Sequence, residues 1–145
     1  MTSQPKAKRD AYRQFYAMES RWSDNDIYGH INNVVYYSYF DSAVNRFLIE
    51  QAGLDIHHGT TIAYVVNSQC NYFIPIAYPQ TVNVGLQVSK LGKSSVTYSL
   101  AIFADDSDEA AAVGEFVHVF VDRTKGLSTP IPVTIRNALA SLVVD

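Results

Sequence analysis

At 145 residues and a formal net charge of −3, the chain is of single-domain size and lacks the basic excess that marks a nucleic-acid binder. Hydrophobic residues make up 48% of it, which excludes a disordered chain, and Cys70 is the only cysteine, which excludes an intrachain disulfide and favours a reducing compartment. No apolar run approaches the ~18 residues that a membrane helix needs, so a soluble, cytoplasmic protein without membrane insertion is expected.

Residues 1–10 are polar, carry Lys6, Lys8 and Arg9, and have no apolar stretch of the signal-peptide kind, so they read as a flexible leader before a single domain over 11–145. Residues 12–22 read as a first strand. From 33 to 52, Tyr36, Phe40, Ala43 and Phe47 recur at spacings of three and four, which predicts a long helix. Asn32 or Asn33 can cap its start, and Gly53 stands where a left-handed C-terminal cap belongs, with Leu54 behind it. Val34, Val35, Tyr37, Tyr39 and Leu48 lie off the stripe and are apolar too, so cover on more than one side is expected. A strand over 61–73 ends before Pro75. Val82, Val84, Leu86 and Val88 then alternate with mostly polar or small residues, Leu91-Gly92-Lys93 turns, and Val96, Tyr98, Leu100 and Ile102 alternate again: a hairpin. An acidic turn over 104–109 leads to a last strand over 113–122 with apolar residues on both faces, as a central strand has. After Pro130, residues 132–144 read as a short helix. The order predicts an α+β domain in which one antiparallel sheet wraps one helix.

The chemistry is concentrated between the first strand and the long helix, in Trp22-Ser23-Asp24-Asn25-Asp26-Ile27-Tyr28-Gly29-His30-Ile31-Asn32-Asn33. Backbone N–H groups in the first turn of a helix have no intrahelical partner, Asn33 being the best placed here, and they favour negative charge. A thioester carbonyl laid over them would meet an oxyanion hole, with Asp26 beside it as nucleophile or general base. Short Asp/Asn runs before helices are ordinarily caps and turns. Gly29, which lets a ligand approach the backbone, and the grouping of Asp24, Asp26 and His30 exceed what capping requires. His30 is a candidate to orient Asp26, to bind substrate or simply to hydrogen-bond the backbone. His57 and His58 read as loop residues, and His118 as a packed core or interface histidine. No H-E-x-x-H, paired cysteine, complete calcium loop, G-x-S-x-G, phosphate loop or dinucleotide fingerprint is present, so neither metal nor cofactor is expected.

This motif, followed by Tyr36 and Tyr39-Phe40, is similar to the signature of hotdog-fold acyl-CoA thioesterases, and more specifically resembles the 4-hydroxybenzoyl-CoA thioesterase group. Asn71-Tyr72-Phe73-Ile74-Pro75, Leu91-Gly92-Lys93-Ser94-Ser95 and the stretch from Gly114 to Arg123 followed by Pro130-Ile131-Pro132 extend the likeness almost end to end. The resemblance implies a five-stranded antiparallel sheet around one long central helix, with a short C-terminal helix. It also implies hydrolysis of an acyl-CoA to coenzyme A and free acid in lipid metabolism. Asp26 would be the catalytic carboxylate and a backbone N–H near Asn33 the polarising group, with Tyr28, Gly29 and His30 around the substrate. Sites of this kind lie between subunits whose sheets join edge to edge, in a homodimer or a homotetramer. Coenzyme A phosphates would rest on the hairpin and its neighbours, for which Lys90, Lys93, Ser95 and Arg123 are candidates. The chain departs from many relatives at Ile76-Ala77-Tyr78-Pro79-Gln80, where a Gly-Asp turn is common, and it has no acid between Tyr64 and Phe73. Two other readings use the same scaffold: a non-catalytic module that binds acyl-CoA or an acyl carrier protein, and a hydratase acting on enoyl thioesters, for which no matching Asp/His motif is found.

Overall fold

The computed structural model describes residues 7–144. Its elements follow the expected order: β1 (Gln14–Glu19), α1 (Asn33–Glu50), β2 (Thr61–Tyr72), β3 (Thr81–Leu91), β4 (Ser95–Ala104), β5 (Ala112–Asp122) and α2 (Val133–Ala140). The five strands form one antiparallel sheet in the order β1-β3-β4-β5-β2. β5 therefore lies inside the sheet, as its two apolar faces require, while β1 and β2 are the edges.

Alternation sets the core face. Val82, Val84, Leu86 and Val88 of β3 and Val96, Tyr98, Leu100 and Ile102 of β4 are all buried, and β5 adds Phe116, His118 and Phe120. Onto this face α1 lays Tyr36, Tyr39, Phe40, Ala43, Val44, Phe47 and Leu48. Phe40 packs edge-on to Phe116 at 6.0 Å, and its ring sits so close to Gly114 that a Cβ there would fall 2.5 Å from Phe40 Cε2. Cover on several sides, expected for α1, holds only in part: Val34 and Ile49 face outward. Asn32 is the cap, its side chain accepting the Val34 N–H at 3.2 Å, and Gly53 adopts a left-handed φ of +74° at the other end.

The first strand is shorter than the expected 12–22, because residues on each side of it turn. Arg9–Ala11 and Trp22–Asp24 are single 3-10 turns. Of the expected flexible leader, residues 1–6 lie outside the described residues and the remainder is held. The Ala7 carbonyl accepts the Ala110 N–H at 3.1 Å, and Arg9 donates to the carbonyls of Asp105 and Ser107 at 2.8 and 2.7 Å while stacking over Phe103. Tyr12, Phe15 and Phe103 thereby form a small second cluster on the outer face of the sheet. No helix among the described residues is long and apolar enough to cross a membrane.

Candidate active site

The connection from β1 to α1 is closed by its own backbone. The Asp26 N–H donates to the His30 carbonyl at 2.9 Å, the Gly29 N–H returns to the Asp26 carbonyl at 3.0 Å, and Gly29 takes φ +83°, a conformation other residues rarely adopt. One Asp26 oxygen, Oδ1, accepts the Tyr28 N–H at 2.9 Å. The loop is pinned to the segment after β2. Ile31 N–H donates to the Ile76 carbonyl at 2.8 Å, and Asn25 Oδ1 accepts the Tyr78 N–H at 3.0 Å.

Two clefts meet at Asp26. One, of about 350 Å³, is lined by Asp26, His30 and Asn33 on one side and by the apolar surfaces of Ile31, Tyr36, Tyr72 and Phe73 on the other. The second, of about 580 Å³, lies between Asp26 and the exposed Trp22 and Ile27. In the first, the Tyr72 hydroxyl donates to the Asn33 carbonyl at 2.9 Å, and the Tyr36 and Tyr72 rings meet edge-on at 4.9 Å. Burial pushes the Tyr36 hydroxyl up to about 12, so it stays a neutral donor. Asn33 is the first residue of α1, and among the described residues no acceptor meets its N–H.

The two acids of the motif occupy opposite environments. Asp26 is half-buried at the mouth of both clefts, whereas Asp24 is 3% exposed. Burial opposes the Asp24 charge, but the Tyr39 hydroxyl at 2.7 Å, the Arg21 N–H at 2.8 Å and the Arg21 guanidinium at 3.4 Å outweigh it and hold the carboxyl below its ordinary range.

The structure brings Asp26, His30 and Asn33 to the lining of one cleft. His30 lines the cleft and is joined to Asp26 through its backbone carbonyl, not through its ring. Tyr28 is 81% exposed, lines neither cleft, and serves Asp26 through its N–H alone. Lys90, Lys93 and Ser95 lie at the hairpin end of the sheet, the far end of β4 from the cleft, ~30 Å of strand away. Arg123 donates to the Gly59 carbonyl at 3.0 Å and to the Ile56 carbonyl, so within one protomer it braces the loop before β2. The walls that sequence reasoning missed as site residues, Tyr72 to Pro75, come from the exit of β2. The Asn71-Tyr72-Phe73-Ile74-Pro75 run signalled them only as part of a strand. No group of three or more His, Cys, Asp or Glu placed to hold a metal occurs among the described residues.

A sequence profile of the Thioesterase-like superfamily matches residues 20–139, which spans the acid-bearing loop, α1, strands β2 to β5 and most of α2. The chain belongs to the Thioesterase-like superfamily. With that membership the sheet wound on α1 is the hotdog fold, and the superfamily's chemistry indicates thioester hydrolysis. Among solved structures, this thioesterase-like chain is similar to the PA5185 protein of Pseudomonas aeruginosa, at 52% identity and TM-score 0.94 over 96% of this chain and 97% of that one. It is also similar to a thioesterase of Thermus thermophilus described in complex with coenzyme A and zinc, at 29% identity and TM-score 0.74 over 88% and 92%. A curated relative, the YsmA protein of Bacillus subtilis, is 25% identical over 89 residues, 61% of this chain and 60% of that protein, so the match spans less than two-thirds of that relative.

Proposed function

We propose that this chain hydrolyses acyl-CoA thioesters to coenzyme A and a carboxylic acid, in the manner of the 4-hydroxybenzoyl-CoA thioesterase group. The observation that carries this reading is a single apolar cleft bearing both a carboxylate, Asp26, and a helix-terminal N–H, that of Asn33, which no acceptor among the described residues meets. The thioester carbonyl takes the Asn33 N–H as its oxyanion donor, the acyl group lies against Tyr36, Tyr72 and Phe73, and Asp26 faces the carbonyl carbon. As general base, Asp26 takes a proton from water as the water oxygen bonds to that carbon. The C–S bond then breaks and the thiolate leaves with the proton. As nucleophile, Asp26 Oδ2 bonds to the carbon, expels the thiolate, and the resulting anhydride is hydrolysed by water. The same placement serves either role. The Thermus relative described with coenzyme A supports the choice of thiol.

The active unit is a dimer in this reading, within a cytoplasmic homodimer or homotetramer. β2 is a sheet edge of 12 residues, and Val65 and Val66 near its middle are exposed. A long exposed apolar edge is a template for another strand. Two-fold pairing about the middle of β2 runs the partner strand in reverse, setting its Thr61 end beside Tyr72. Arg123, whose N–H donates to the Thr60 carbonyl at 2.7 Å, travels with that end. A partner subunit thus brings a basic group to a cleft that Arg123 does not reach within one protomer, with Lys90, Lys93 and Ser95 further along the same subunit for the nucleotide phosphates.

The test is a free-thiol assay on a panel of short, long and aromatic acyl-CoAs with wild type and Asp26→Asn. Asp26→Asn is expected to lower kcat by ~10²–10⁴ with its melting temperature retained. Undiminished activity would move catalysis off Asp26, and tight acyl-CoA binding without turnover by the wild type would favour the binding module.

A further inference from the structure

Asp24 is the one buried acid among the described residues, and the chemistry above makes no use of it. It ties three places together. Its Oδ2 accepts the Arg21 N–H at 2.8 Å, where the chain leaves β1. The same oxygen accepts the Tyr39 hydroxyl at 2.7 Å, from the buried middle of α1. Its backbone carbonyl accepts the N–H of Asn32, the cap of α1, at 2.9 Å. The loop bearing Asp26 therefore leaves Asp24 and returns to Asp24. Tyr39 lies less than two helical turns beyond Asn33, ~9 Å along the axis, so the same carboxylate fixes the helix that carries the free N–H.

Desolvating a carboxylate opposes folding, and apolar side chains could fill the same space. What the carboxylate adds is direction, since three donors converge on it from two segments. We infer that Asp24 and Tyr39 are positioning residues that hold the Asp26 carboxylate and the Asn33 N–H at a fixed separation across the cleft. The inference rests on the hydrolase reading for its catalytic consequence, and on the hydrogen bonds alone for its structural one. A displacement of ~1 Å between reacting groups costs ~10²-fold in rate, so a brace of this kind acts on kcat and leaves binding almost untouched.

The experiment compares wild type, Tyr39→Phe and Asp24→Asn by steady-state kinetics and by amide hydrogen exchange. Tyr39→Phe keeps the ring and removes only the donor, so it preserves the core even where Asp24→Asn does not. The expected result is a ~10–100-fold fall in kcat with KM changed by no more than about twofold. Exchange over residues 25–33 should be about tenfold faster while the β3–β4 hairpin is unchanged. A lowered melting temperature with kcat and loop exchange both unaltered would overturn the inference, leaving the brace a stability element only. If the wild type proves inert on every acyl-CoA while Tyr39→Phe still quickens loop exchange, the hydrolase reading fails and the positioning of Asp26 by Asp24 stands.

Discussion

At the scale of single residues, one buried histidine makes stability depend on pH. His118 is 1% exposed, its Nδ1 is 3.3 Å from the Tyr98 hydroxyl, and burial lowers its pKa from 6.5 to about 4. In the unfolded chain it gains a proton near pH 6.5, and in the folded chain only near pH 4, so between those values the unfolded state binds more protons. Stability is therefore full above about pH 6.5 and falls as the pH drops toward 4, by ~3 kcal/mol at most. Thermal melts across that window should show the slope, and His118→Gln should flatten it. Asn32→Ala removes the cap of α1 and is expected to cost about 1 kcal/mol, read as a drop in melting temperature. At this scale Asp26, Gly29 and Asn33 were legible in the sequence because a turn and a helix start are local. The sequence left three roles open for His30, because it does not say whether ring or carbonyl meets Asp26; in the structure the carbonyl makes the bond.

The elements repeat that division between local and distant information. The hairpin and α1 announced themselves by period, and β5 by apolar residues on both faces. The cleft wall did not, because Tyr72, Phe73 and Ile74 reach it only after β2 pairs with β5 and the Phe73 and Ile74 N–H groups fasten to the Ala111 carbonyl at 2.8 and 3.1 Å. Close approach of α1 to β5 depends on Gly114. Gly114→Ala would drive a methyl into Phe40 and should cost ~1–3 kcal/mol, measurable by denaturant unfolding. The edge strand carries the assembly prediction. Val66, 59% exposed on β2, replaced by Lys should convert an edge-to-edge dimer to monomer in sedimentation velocity, with activity falling alongside.

Across the whole molecule, four acids gather at one end of the sheet, where Lys8 and Arg9 meet them, and four basic side chains lie toward the other. Asp105, Asp106, Asp108 and Glu109 crowd the β4–β5 turn, while Lys90, Lys93, Arg123 and Lys125 lie toward the opposite end of the sheet. If that basic end of one subunit holds the phosphates at its partner's cleft, KM for an acyl-CoA should rise with ionic strength while kcat stays level, and Lys93→Ala should weaken the salt dependence. The family resemblance made Lys90, Lys93 and Arg123 candidates for the phosphates, but in the proposed dimer they meet a cleft only through a second copy of the chain, which no single-chain pattern encodes. The meeting of two clefts at Asp26 has its own consequence for turnover. If the acyl group fills the cleft by Tyr72 while the sulfur end of the thiol arm leaves along the one by Trp22, the acid and the thiol part on opposite sides of Asp26, and neither has to wait for the other to clear a common exit. Coenzyme A and the free acid should then occupy the enzyme together, and a double-inhibition plot of the two products should give intersecting lines, not parallel ones.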